Sequence, residues 1–135
     1  MKAHFRTGLF LVIALAALSM PAAAHHSLGA QFDLNKRVAL TGVVTKVEWT
    51  NPHAWFYIDV LDPKTGKTMQ WALQLTGPNG LARLGWTRNS LKPGDVVTVH
   101  GALSRENGQN AVAREVWLSD GHKIFGTFSA YNESK

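Results

Sequence analysis

The sequence predicts an all-β fold with one short helix, in which five strands in the order β-β-β-α-β-β roll into a partly open barrel. Three observations predict it. Five separate segments carry apolar, β-branched and aromatic residues in strand-like patterns. A single stretch between the third and fourth segments carries helical start and stop signals. Clusters of Gly, Pro, Asn and Asp separate the segments.

From Val38 to Trp49, the residues Val38, Leu40, Val43, Val44, Val47 and Trp49 sit among Thr and Lys, with Gly42 in the middle. This predicts a long first strand that bends or bulges at the glycine. Thr50-Asn51-Pro52-His53 turns the chain, and Trp55-Phe56-Tyr57-Ile58-Asp59-Val60 makes the second strand. Asp62-Pro63-Lys64-Thr65-Gly66 is turn chemistry and leads to a third strand over Met69 to Leu75, so the three strands form a meander. Pro78 suits a first helical position, Leu81 and Leu84 share a face, and Gly85 suits the stop. After Leu91-Lys92-Pro93-Gly94-Asp95 comes a fourth strand over Val96 to Ala102, then the polar loop Arg105 to Asn110 and a fifth strand from Ala111 to Leu118. Ile124-Phe125 is a short apolar piece before a polar tail.

Three strands, a helix and two strands, with a long kinked first strand, is the plan of the OB-fold, a five-stranded Greek-key barrel; an unclosed five-stranded sandwich is the structural alternative. The run Leu91 to Gly101 resembles the segment entering the fourth strand of many bacterial OB-fold proteins.

Ahead of the barrel, residues 1–24 run from Lys2 and Arg6 through the apolar stretch Leu9 to Leu18 to Pro21-Ala22-Ala23-Ala24, the order of a cleavable export signal. The stretch is shorter than the roughly 20 residues a membrane-spanning helix needs, so no membrane anchor is expected after cleavage. Ala22 and Ala24 satisfy the small-residue rule for a cut after Ala24, which predicts a periplasmic protein beginning His25-His26-Ser27. Residues 25–37 form a polar lead-in, expected along the surface or frayed unless tied down; 38–126 form the barrel domain, and 127–135 a polar tail. No cysteine is present, so neither a disulfide nor a lipid-modified N-terminus is possible. Without Lys2 and Arg6, twelve basic side chains face nine acidic ones. That mild and scattered excess argues against a nucleic-acid partner.

Over nearly all of this mature length the chain resembles a family of small exported bacterial proteins known only as a domain of unknown function. The matching residues are His25-His26-Ser27, Leu40-Thr41-Gly42, Val47 to Trp55, Gly85-Trp86-Thr87-Arg88 and Leu91 to Asp95. The resemblance implies export and fold and leaves function to the residues themselves.

Two features are candidate sites. A chain beginning with His25 offers an amine and an imidazole on one residue, and His26 adds a second ring. Nitrogen-rich surroundings suit Cu(II), so His25 and His26, with His53 as a third nitrogen, form the candidate metal set, with copper the expected ion. Against this stands the reading that two terminal histidines bind nothing specific. The second feature is the loop between the first two strands, where OB-folds bind ligands together with the loop between the fourth and fifth, here Ser104 to Asn110. Trp49, Asn51, His53 and Trp55 are its candidate binding residues for a small molecule or an envelope protein. The plainer reading is that Asn51 and Pro52 make the turn, His53 caps a carbonyl and the tryptophans fill the barrel end.

Trp71 and Trp117 are expected in the core, and Trp86 either plugs the barrel or is exposed. A likeness to periplasmic copper chaperones with OB barrels is tempered because Met69 is the mature chain's single methionine, too few thioethers for a Cu(I) site. His100 and His122 read as structural or solvent-facing. No serine elbow, HExxH helix or phosphate-cradling glycine loop occurs, and Asp59, Asp62, Asp95 and Asp120 read as solvated turn and surface carboxylates. The chain therefore reads as a binding protein. An envelope hydrolase is the less favoured alternative, supported only by paired carboxylates or a nucleophile in a cleft.

Overall fold

The computed structural model describes residues 28–106 and 108–125. Its elements are α1 (Leu28–Gln31), β1 (Phe32–Glu48), β2 (Trp55–Leu61), β3 (Thr68–Gln74), α2 (Pro78–Arg83), β4 (Val96–Ser104), β5 (Asn110–Leu118) and β6 (Lys123–Phe125). Antiparallel pairing runs β3-β2-β1-β4-β5-β6, and a further parallel pairing of β3 with β5 closes the ring. Ring order β1-β2-β3-β5-β4 with a helix between β3 and β4 is the OB-fold, as expected, and the closure removes the open-sandwich alternative.

The barrel closes around a dry core because one parity of each strand is apolar. Val44, Phe56, Ile58, Leu73, Val97, Val99, Ala111, Ala113 and Val116 point inward and are buried. Leu81 of α2 and Trp86 beyond it join them, so Trp86 is a plug. Pro78 opens α2 as expected. Its end is a Schellman motif: Trp86 N–H donates to the Leu81 carbonyl and Gly85 N–H to that of Ala82, both at 3.0 Å, with Gly85 at φ +84°. Trp71 and Trp117 are half-buried and not fully interior; Lys123 Nζ lies 5.1 Å from the Trp117 ring centroid.

Two expectations about β1 change. The bulge is not at Gly42: the β1–β2 register slips between Val44 and Lys46, which makes Thr45 the extra residue. Gly42 serves close approach instead, since a Cβ there would strike the Asp59 carbonyl of β2. The lead-in, moreover, is ordered from Leu28 and contributes the first residues of β1. Arg105 ties it down, its Nε donating to the Gly29 carbonyl at 2.8 Å and its N–H to that of Gln31 at 2.9 Å. Phe32, 2% exposed, packs with Ala102 and Val112 on the outside of the barrel, flanked by Leu28 and Leu34. One aromatic ring and one arginine thus supply what the polar sequence before Val38 does not announce.

These packing constraints set measurable costs. Gly42→Ala should destabilise the domain by about 1–3 kcal/mol through overpacking. Gly29→Ala, where nothing lies within 4 Å of the added carbon, should cost under about 0.5 kcal/mol. Phe32→Ala should cost about 3 kcal/mol or more if the outer cluster is part of the cooperative fold. Urea midpoints at constant m-value check all three.

Candidate ligand-binding face

The loop between β1 and β2 is held from two sides. Ala54 N–H donates to the Thr76 carbonyl at 3.0 Å and Leu75 N–H to the Ala54 carbonyl at 2.8 Å, carrying the β2–β3 ladder past the end of the strands. On the other side the Pro52 carbonyl lies where a Cβ on Gly77 would come within 2.5 Å, so the loop rests on the residue that starts α2 and only glycine allows it. The Asn51–Pro52 peptide is cis. Within this loop Asn51 is exposed, and Trp49 is half-buried and packs on the core. Trp55 lies opposite in parity to the buried Phe56 and faces outward. The structure therefore gathers Trp49, Asn51, His53 and Trp55 in one loop but sends the two indoles to different sides. The half-buried His53 ring makes no hydrogen bond among the described residues; instead the Thr50 hydroxyl donates to the His53 carbonyl at 3.1 Å. The capped carbonyl is thus that of His53, and the ring caps none. His25 and His26 lie outside the described residues, and among those residues no group of three or more His, Asp or Glu side chains is placed to hold a metal ion.

The outward surface of β1, β2 and β3 next to this loop holds residues that the sequence reading did not select. Register places Glu48 beside Trp55 and Lys46 beside Tyr57. It also places Trp55 beside Gln74 and Tyr57 beside Ala72. The Tyr57 hydroxyl donates to Glu48 Oε2 at 2.9 Å, Lys46 is ion-paired with the other oxygen of that carboxylate, and its ammonium lies 5.3 Å from the Tyr57 ring centroid. Hydrogen bonds from Lys46 and Tyr57 hold the Glu48 carboxyl below the usual carboxylate range. Burial, and then the bond to Glu48, push the Tyr57 phenol up. The Thr45 hydroxyl, at the bulge, donates to the Tyr57 carbonyl at 3.3 Å and accepts from Gln70 Nε2 at 3.3 Å, so the extra residue buttresses the same tyrosine.

Gln74 stands apart from this network. It is 4% exposed, lies on the outward parity of β3 between Trp55 and Val112, and its side chain makes no hydrogen bond among the described residues. Across the β3–β5 seam, Asn110 faces Ala72, and its Oδ1 is buried without a partner. A signal for this face was present in the sequence. Trp55-Phe56-Tyr57-Ile58 places bulky side chains on both parities, so one pair had to face out once the other filled the core.

The loop between β4 and β5 flanks the opposite end of this face. Gln109 Nε2 reaches Met69 Sδ of β3 at 3.8 Å, while Arg105 holds α1. His100 lies 3.3 Å from Glu115, which is also paired with Lys123, on the exposed surface of β4 and β5, and His122 is exposed in a turn. Both keep structural or solvent-facing positions.

A family model described as "Family of unknown function (DUF6152)" matches residues 13–113. No curated protein matches the chain. Solved structures similar to it include two crystal structures of the mitochondrial single-stranded DNA binding protein Rim1 from S. cerevisiae. One has a TM-score of 0.49 and 13% identity and covers 62% of this chain and 93% of that one. The other, selenomethionine-labelled, has a TM-score of 0.47 and 11% identity and covers 62% and 94%. The strand order itself carries the fold assignment.

The Tyr57–Glu48 contact has a titration consequence. The Tyr57 phenol should ionise above the ordinary tyrosine range, and Glu48→Gln should bring it part of the way back, since burial persists in the variant. Phenolate absorbance against pH reads this directly. A Tyr57 that titrates at the ordinary value in both proteins would contradict the contact.

Proposed function

We propose, for a chain that belongs to this family of unknown function, the role of an exported, periplasmic binding module that holds a small ligand on the outward face of β1, β2 and β3. The observation that carries the reading is Gln74, an almost fully buried amide with no hydrogen bond among the described residues, beside two outward aromatic rings. Across the seam Asn110 Oδ1 is buried without a partner, which costs about 1–3 kcal/mol. The Lys46–Glu48–Tyr57 network supports the same reading, because it fixes the ring of Tyr57 before any ligand arrives. Export rests on the leader pattern of residues 1–24; among the described residues no helix is long and apolar enough to cross a membrane.

A screen of sugars, amino acids, nucleosides and short peptides by thermal shift tests this proposal. At a ligand concentration 100-fold above Kd the stabilisation is about 2.7 kcal/mol. Trp55→Ala and Tyr57→Ala should each erase the shift while leaving the unliganded Tm within a few degrees. Shifts that are indifferent to both substitutions would end the outward-face reading.

Copper binding by His25, His26 and His53 is the second reading, and one observation favours it. Leu28 packs against the cluster of Phe32, Ala102 and Val112; Val112 pairs with Gln74, which in turn pairs with Trp55. The first described residue after the two histidines therefore packs on a cluster whose Val112 lies about two strand spacings, or ~10 Å, from the strand that follows His53. Mature protein should bind one Cu(II), and His25→Ala should weaken binding by at least about tenfold, or roughly 1.4 kcal/mol. Equal affinity in the variant, measured by competition with a chelator, would remove His25 from the metal set.

A further inference from the structure

We propose that the outward face carries a defined seat for one neutral sugar ring, floored by Ala72 and walled by Tyr57 and Trp55 on one side and by Gln74 and Asn110 on the other. The inference rests on the reading of this face as a ligand surface and names the ligand class.

Register defines the seat. Tyr57, Ala72 and Asn110 form one row across β2, β3 and β5, and Trp55, Gln74 and Val112 form the next. In the first row the central residue is the smallest, so a depression lies over the Ala72 methyl between a phenol ring and an amide. Neighbouring strands lie about 4.8 Å apart, so Tyr57 and Asn110 stand roughly 10 Å from each other. The far wall of the second row is closed, because Val112 is covered by Leu28 and Phe32 of the tied-down N-terminal segment.

The chemistry of the walls selects the ligand. Each carboxamide presents a donor and an acceptor side by side, the complement of neighbouring hydroxyls on a sugar. Aromatic ring faces accept the apolar C–H side of the same ring. Both amides have unfilled hydrogen-bonding capacity beside Ala72: Gln74 makes no hydrogen bond among the described residues, and Asn110 Oδ1 is buried without a partner, so its side chain must turn to offer that oxygen to a ligand. Buried polar groups left in that condition are uncommon and call for a partner.

Charge argues for a neutral ligand. Where β1, β2 and β3 pair with one another, the outward ionisable groups are Lys46, Glu48 and Asp59, with Arg37 farther along β1 opposite β4, and Lys46 is already ion-paired with Glu48. A phosphodiester or other polyanion would meet two carboxylates and one engaged ammonium, the reverse of the basic track that such backbones require.

The test uses the mature chain, with tryptophan emission and titration calorimetry as readouts. The probes are maltohexaose, cellohexaose and chitohexaose, with oligothymidylate as the polyanion. At least one neutral oligosaccharide should bind at millimolar concentration or below. Ala72→Leu, which fills the floor on the solvent side, and Asn110→Leu, which removes one amide, should each weaken it by at least about tenfold. Using both variants means that a folding failure in one, seen by circular dichroism, leaves the other to decide. Binding that survives both substitutions but is lost in Trp55→Ala would overturn the seat and leave the outward face standing. Binding of oligothymidylate with none of the three sugars would overturn the ligand class. Silence towards all four probes would do the same, and the outward-face reading would then rest on the thermal-shift screen alone.

Discussion

The three residue pairs of the parallel β3–β5 contact, Ala72 with Asn110, Leu73 with Ala111 and Gln74 with Val112, hold the rest of the molecule in place. Without them β3 and the first half of β5 would be open edges with unpaired backbone groups, and the apolar parity of five strands would face a gap. Closure at so small a circumference demands small residues where strands converge. Ala111 and Ala113 are fully buried there, and a side chain on Gly101 of β4 would strike the Val112 carbonyl of β5. The β4–β5 register slips at this point, with His100 opposite Glu115 and Gly101 opposite Ala113, so Arg114 is the extra residue. Such a bulge bends β5 towards β3.

The same contact generates the candidate site. Parallel pairing at the seam sets Leu73 and Ala111 inward together, which obliges Gln74 and Asn110 to share the outward side. Gln74 is the one buried polar residue of the described chain, 4% exposed, and its side chain bonds to no described residue. The surrounding polar groups are by contrast well matched. Glu48 is held in its charged form by Lys46 and Tyr57, so the network strengthens the fold above the unfolded carboxyl's pKa and loses that contribution as the pH falls through the lowered folded value. Lys46 is exposed and Glu48 half-buried, so solvent screens their ion pair and its consequence is the orientation of Tyr57 more than stability.

How much of this is legible in the sequence depends on whether the information is local. Strand alternation in Trp55 to Val60, the Pro78 start and the Gly85 stop are statements about near neighbours, and the structure reproduces them. The role of Gly42 is not local. Glycine in a strand marks a bulge or a close approach, and only the position of the Asp59 carbonyl decides between them. The ordering of residues 28–36 is equally distant in origin, because its fastener is Arg105 at the far end of β4. At the site, the loop with Trp49, Asn51, His53 and Trp55 could be found from its turn chemistry and flanking indoles. Gln74 could not, since it looks like an ordinary polar residue of a strand, and Asn110 is visible only as the last residue of the polar loop before β5 until the parallel seam sets both on one side.

The N-terminal segment connects these threads. Phe32 and Leu28 cover Ala102 and Val112 on the outer surface, and Val112 is the neighbour of Gln74 across the seam. Their packing removes water from one flank of that amide and so raises the free-energy cost of leaving it unpaired. The segment is fastened by Arg105 to the Gly29 and Gln31 carbonyls, by the pairing of Phe32 with Ser104, and by Leu28, Phe32 and Leu34 on the apolar patch. The proposed seat and the docked N-terminal segment therefore meet at Val112, so displacement of the segment would expose the outer face of the seam.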